Sequence, residues 1–597
     1  MLTLVVKLLQ GILVKFLIWR IRHVNNKTFM LILAGLIGAI SGCAAVLLKE
    51  TVHLIQYALT SDFDIKYANY FYLGFPLIGI LITVLITKFL LKEKLGHGIT
   101  QILYDIAKKS SIIRKSKMYS RMLTSAITVG FGGSVGLEAP IVVTGSAIGS
   151  NMGRLMHLNY KKRTLLIGCG AAGAVSAIFN SPVAGVIFCL EVILADVTIA
   201  MFIPLLIASV TGALISLALL GDDVLFSFKL IDSFQAVDTP YYILLGIVCG
   251  LVSVYFTRVT YKVEHLISKV TKDLGRAVTG GILLGIIIFI FPPIFGEGYN
   301  TIKLLLAGNG SEVLNSSLFF SRTENIGVML LFIFGVLLIK PIASALTIGA
   351  GGSGGIFAPS LFLGGITGFL FASTTNALGW GSMSLSNFTL VGMCGVMSGV
   401  LYAPLTAIFL IAEITSGYEL FVPLMLVSAI SYSTSSIFEK HSLYTKHLIE
   451  RGDLIQYDKD RQVLSQIDLA KILEKDLLTV KPEATLGELV NLVKKSKRNI
   501  FPVVNDDQEL LGVVTLDDIR EIMFDSERRQ QIKVQTVMTI PPTNVEPHEN
   551  MQSVMGKFEK SGAWNLPVIE NGKYVGFLSK SRIFNTYRNK LMLHNKE

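Results

Sequence analysis

Residues 130–140 read GFGGSVGLEAP and residues 349–359 read GAGGSGGIFAP. Seven of the eleven positions are identical, at a constant offset of 219. A second pair follows: FNSPVAGVIFCLE at 179–191 and LYAPLTAIFLIAE at 401–413. Pro182 and Pro404 align at an offset of 222, with Glu191 and Glu413 each nine residues further on. Two motif pairs at nearly one offset mean that a unit of about 220 residues is duplicated. A mostly apolar unit repeated in this way reads as a transporter built from two related halves.

Composition places that unit in a membrane. The chain has 597 residues, 52% of them hydrophobic and 16% charged, with a mean hydropathy of +0.60. That is too apolar for a soluble protein of this length. Apolar runs long enough to span lie near 29–48, 71–91, 164–195, 199–220, 241–257, 278–297, 326–348 and 386–416. Shorter runs near 122–130, 141–152, 356–372 and 420–437 contain Gly and Pro and read as half-spanning or tilted helices shielded inside a bundle. The first 20 residues are apolar and basic and read as a membrane-surface helix.

Loop charge sets the expected orientation. Basic clusters occur at 20–27, 108–121, 161–163 and 258–276, whereas the loops at 61–66 and 221–238 carry Asp62, Asp64, Asp222, Asp223, Asp232 and Asp238. The basic loops, the N-terminus and the polar tail therefore belong on the cytoplasmic side, in a bacterial inner or plasma membrane. The net charge of +11 needs no nucleic-acid partner. The five cysteines lie in apolar segments without metal spacing and read as small core residues.

The repeated motif points to anion chemistry. Each copy is a Gly-rich loop that enters an apolar helix near a proline. First-turn amides of such a helix lack intrahelical acceptors, and with the helix dipole they attract negative charge. Two such termini meeting in the bilayer would hold an anion without a fixed cation; neither motif contains Lys or Arg. Glu138 stands at the start of the first helix. Ionised, it competes with an anion for the same amides; protonated, it has no reason to stay. It is the expected gate and proton-binding group.

In these residues the chain resembles the CLC family of chloride channels and proton/chloride antiporters. The family's G-S-G-I-P is similar to Gly96-His97-Gly98-Ile99-Thr100. Its G-R/K-E-G-P is similar to Gly136-Leu137-Glu138-Ala139-Pro140, its G-x-F-x-P to Gly355-Ile356-Phe357-Ala358-Pro359, and its late tyrosine to Tyr444. The resemblance implies a homodimer, each subunit with its own pathway through two inverted helical halves. It implies that the Ile356 and Phe357 amides and the Tyr444 hydroxyl line a central anion site. His97, Gly98 and Ile99 would complete that site, and Gly136 and Leu137 an outer one that Glu138 contests. Chloride, and protons in an exchanger, are the implied cargo.

Three positions depart from the family pattern. His97 replaces the serine, which alters the donor offered to the anion. Leu137 replaces the basic residue before Glu138. Val192 stands where many antiporters carry an internal proton-accepting glutamate. Glu191 points about 100° away from it on a helix, and Asp196 is a weak relay candidate. The Val192 position favours a channel or weakly coupled exchange, with a proton-coupled antiporter as the alternative.

Residues 465–590 hold a second duplication and resemble a tandem pair of CBS domains. One copy runs through Phe501-Pro502-Val503-Val504 to Thr515 and Asp518, the other through Leu566-Pro567-Val568-Ile569 to Ser579 and Arg582. Helices are expected at 483–497 and 550–561, with turns at Asp506-Asp507 and Asn571-Gly572. In that family a Thr/Ser and an Asp three residues later hold an adenosine ribose. Thr515 and Asp518 therefore imply one adenine-nucleotide site, and Arg582 argues against a second.

The expected organisation is an N-terminal segment at 1–28 and an all-α membrane domain at 29–440, with repeats at about 29–220 and 241–437. A linker at 441–464 and α/β CBS domains at 465–525 and 531–590 follow. No cofactor is required for transport and no enzymatic chemistry is expected. A hydrolase reading of Gly-Gly-Ser-Val-Gly lacks partner residues. A CBS-containing cation transporter would need acidic or carbonyl oxygens where the motifs present amides.

Overall fold

The computed structural model describes residues 15–20, 22–60, 70–93, 96, 98–194, 199–221, 234–315, 317, 325–415, 417–450, 464 and 467–596. It comprises two compact units, Met1–Leu454 and Ile455–Glu597.

The first unit is helical. Among its described residues eight helices are long and apolar enough to cross a bilayer. Leu54, Phe89, Leu90 and Leu331 are exposed on its outer faces. Surface of this kind is what lipid covers.

Packing repeats with the sequence. The helix Glu138–Leu155 lies against Tyr160–Phe179, and its counterpart Phe357–Ala377 lies against Leu385–Leu401. In each pair backbones touch through glycine. A Cβ on Gly149 would sit 1.9 Å from the Leu166 carbonyl oxygen, and one on Gly368 would sit 1.9 Å from that of Phe388. Small residues admit this approach, which supplies packing where lipid gives no hydrophobic drive.

Two apolar runs expected as single spans are broken. The run 164–195 ends its first helix at Phe179 and restarts at Pro182; the run 386–416 ends at Leu401 and restarts at Pro404. Asn180 (φ 53°) and Tyr402 (φ 60°) terminate the first pieces in the left-handed conformation. Each lies two residues before a proline that cannot continue the preceding helix but fits the first turn of the next. Conversely, the runs 356–372 and 420–437 form full helices, Phe357–Ala377 and Phe421–Phe438. The start of the segment read as a linker is also helical, Leu443–Glu450, and packs on Gly98–Lys108. The surface helix expected over the first 20 residues lies mostly outside the described residues.

The second unit contains two antiparallel hairpins, β1 (Ile500–Val504) with β2 (Leu510–Thr515) and β3 (Asn565–Glu570) with β4 (Lys573–Ser579). The β3–β4 turn places Asn571 and Gly572 at φ 52° and 84°, a pairing that suits a tight hairpin. The two expected helices are present as Leu486–Lys495 and Met551–Ser561. Thr485 and Glu488 form a capping box on the first.

Candidate anion site

The two Gly-rich motifs meet at the centre of the membrane unit. The Gly136 amide donates to the Gly355 carbonyl (2.9 Å) and the Gly355 amide donates back to Gly136 (2.8 Å). Around this bridge the Ser134 amide donates to Thr347 Oγ1 (3.2 Å), and the Ser353 amide donates to Thr128 Oγ1 (3.0 Å). Every bond has a mirror partner about 219 residues away, so the halves are joined as a pseudo-twofold pair.

That junction brings two helix starts together, Glu138–Leu155 and Phe357–Ala377. Phe357 is held by Phe179 (5.3 Å between ring centres) and Phe188 (6.2 Å). The first turn of Gly98–Lys108 joins them: Gly98, Ile99 and Thr100 are buried, and Thr100 Oγ1 donates to the Tyr444 carbonyl (2.9 Å). The Tyr444 hydroxyl is buried and meets no partner, as is Ser353 Oγ. His97 and Asp196 lie outside the described residues.

Glu138 is 2% exposed and folds back over its own motif. Its Oε2 has no hydrogen-bond partner, and a Cβ on Gly136 would come within 2.0 Å of that oxygen. Glycine at 136 is what lets the carboxylate lie there. Its Oε1 accepts from the Tyr299 hydroxyl at 2.5 Å. A buried carboxylate half-satisfied in this way can be displaced by, or displace, another anion.

Of the residues read as outer-site donors, Gly136 gives its amide to Gly355, and Leu137 gives its amide to Glu297 Oε1 (3.1 Å). Both donors are therefore met by the protein itself. Sequence reading also missed Tyr299, Glu297 and Lys340. Lys340 is fully buried in Ile326–Gly349 and donates to Ser134 Oγ (2.8 Å) and the Gly296 carbonyl (3.3 Å), with its ammonium 4.7 Å from the Phe362 ring centre. A single charged residue in a 24-residue membrane helix was the available signal.

Val192 is half-buried in a short π-helical turn, Cys189–Ile193. Glu191 does not face it as a relay; its carboxylate binds the amides of Leu405 and Thr406 in the other half.

In the second unit Thr515 and Asp518 engage each other. Asp518 Oδ2 accepts from the Thr515 amide and hydroxyl, both at 2.7 Å. In the other copy Ser579 Oγ donates to Glu474 Oε1 (2.9 Å), and Glu474 pairs with Arg498 (3.0 Å).

Fold and site together define a polytopic helical membrane protein of two pseudo-symmetric halves, with two helix starts brought together by the Gly136–Gly355 bridge. Residues 78–436 match the family model described as voltage gated chloride channel, so the chain belongs to that family; residues 469–525 and 534–589 match the CBS domain. The chloride channel protein CLC-f of Arabidopsis thaliana is 27% identical over 489 residues, covering 72% of this chain and 61% of that protein's length. The fold is similar to that of a slow cyanobacterial Cl-/H+ antiporter (TM-score 0.61, 22% identity, 73% of this chain and 100% of that one). It is also similar to a eukaryotic CLC transporter (TM-score 0.61, 18% identity, 93% and 97%).

Proposed function

We propose that this protein carries chloride or a similar small anion across the membrane, through a site built on the amides of Ile356 and Phe357. The Tyr444 hydroxyl and the residues at 97–99 complete the site, and Glu138 is its gate. The observation that carries the reading is the pair of buried, unpartnered oxygens, Tyr444 Oη and Glu138 Oε2, beside that helix start. A hydroxyl buried without an acceptor costs free energy unless a ligand meets it. An anion would accept from Tyr444 and from the first-turn amides, while Glu138 takes its place when the site is empty.

Val192 removes the internal proton acceptor, and Glu191 is committed to a structural bond. We therefore favour a channel or weakly coupled exchange over tight antiport. The Glu138–Tyr299 bond favours the alternative, because it offers a protonatable pair on the gate. The working unit is a homodimer with one pathway per subunit, and its termini and CBS pair are cytoplasmic. Thr515 and Asp518 would receive an adenine nucleotide by exchanging their mutual bonds for a ribose. The test is reversal potential in planar bilayers under opposed chloride and proton gradients. A potential at the chloride equilibrium value supports the channel reading, a shifted one supports exchange, and no anion current or flux overturns the transport reading.

A further inference from the structure

The internal duplication extends to a third motif pair. Gly96-His97-Gly98-Ile99 opens the helix Gly98–Lys108, and Gly296-Glu297-Gly298-Tyr299 opens the helix Tyr299–Leu306. A cation at the equivalent position donates to the first glycine of each motif. Arg121 donates to the Gly96 carbonyl (3.1 Å) and Lys340 to the Gly296 carbonyl (3.3 Å), and these two residues are themselves 219 apart. Glu297 is thus the counterpart of His97. Leu137 is the counterpart of Ile356 by the same offset, so its amide at the start of one helix corresponds to an anion-binding amide at the start of the other. In the structure Glu297 Oε1 sits on that Leu137 amide at 3.1 Å.

We infer that Glu297 is a tethered occupant of a second anion position: its carboxylate takes, on the Leu137 amide, the place that a permeating anion takes on the Ile356 amide. This rests on the anion-transport reading above.

The chemistry of the loop supports the assignment. A helix-start amide next to glycine is a good donor for negative charge, and a carboxylate presents it with two oxygens. Glu297 is half-buried beside the Leu137 amide. Charged groups in reach of it are Lys340 and Lys49, which offset it, and Glu138, which repels it. Lys340 therefore plays two parts. It pins the loop through Gly296, and it balances the carboxylate that fills the position. Glu297 excludes anions from this position by occupancy and by repulsion. Two carboxylates, Glu138 and Glu297, then guard one pathway, the first held by the Tyr299 hydroxyl and the second by the Leu137 amide.

The test is bromide binding by isothermal titration calorimetry to the full-length protein in detergent. A Glu138→Gln background removes the other competitor. Adding Glu297→Gln keeps the side-chain shape but removes the charge, so that an anion outcompetes the neutral amide oxygen for Leu137. The expected result is binding tightened about 10-fold, a change of ~1.4 kcal/mol, with Lys340→Met on top reversing the gain. Glu297→Asp, which keeps the charge, is expected to bind as the parent does. Unchanged affinity in Glu138→Gln/Glu297→Gln, or equal tightening by Glu297→Asp, overturns the inference. Bromide and chloride binding absent from every variant, Glu138→Gln included, overturns the transport reading itself.

Discussion

Glu191 and Glu413 cap each other's halves. Glu191 Oε1 and Oε2 accept from the amides of Leu405 (3.1 Å) and Thr406 (2.9 Å), at the start of the Pro404 helix. Glu413 Oε1 and Oε2 accept from Val183 (2.9 Å) and Ala184 (2.8 Å), at the start of the Pro182 helix. Each helix is opened by a proline and finished by a carboxylate from the other repeat. The amides that would otherwise lack acceptors are satisfied, and the negative charge meets the positive end of the dipole.

Glu413→Ala is therefore expected to lower stability by about 1–2 kcal/mol. Glu413→Gln, which keeps one acceptor, is expected to cost less. Thermal unfolding in detergent reads this directly, and a stability loss for Glu413→Ala no larger than for an exposed surface change would contradict the capping role.

Glu138→Gln is expected to raise anion flux from proteoliposomes by about tenfold and to flatten its pH dependence, because the neutral side chain no longer competes for the amides. A tenfold rise corresponds to ~1.4 kcal/mol. Wild-type flux with a wild-type pH profile would remove Glu138 from the gate.

Tyr299→Phe removes the donor that holds Glu138 Oε1. A hydrogen bond to a charged group contributes about 1.5–3 kcal/mol. The freed carboxylate is expected to leave its resting position more often, giving flux on the order of tenfold above wild type. The same substitution in a Glu138→Gln background is expected to change flux far less. Additive effects of the two substitutions would show that Tyr299 acts elsewhere.

In the second unit the Lys557 ammonium donates to Glu549. Burial alone would raise the Glu549 carboxyl, but Lys557, the Glu546 amide and Ser553 together hold it below the ordinary value. A depressed carboxyl contributes stability that is full above the unfolded value of about 4.3 and fades as pH falls through the folded one. Lys557→Met is expected to leave the unit's acid unfolding less steep below about pH 4.3, as followed by circular dichroism. Identical acid transitions would contradict it.

The sequence made much of this legible, for physical reasons. A repeat at offsets 219 and 222 located both motifs, because glycine and proline were needed at the same places in both halves. The helix breaks at Asn180 and Tyr402 were hidden inside continuous apolar runs, where hydropathy has no contrast. Only the proline two residues on betrays them. Glu297 and Lys340 were missed for a different reason. The third motif pair is 200 residues apart, not 219, because the two halves differ in loop length between the motifs. A lone charge in an apolar run also says nothing of its partner until the chain is folded. The occupied amides of Gly136 and Leu137 depend on contacts with residues 160 or more positions away, which no local pattern encodes.

The reciprocal bridge between Gly136 and Gly355 has a mechanical consequence. It stitches the repeats together beside the proposed anion site, with Thr128 and Thr347 as flanking rivets. Halves fastened there cannot rock apart about their common axis without tearing four mirrored bonds. Motion on the scale of one swinging side chain is what such a frame leaves free.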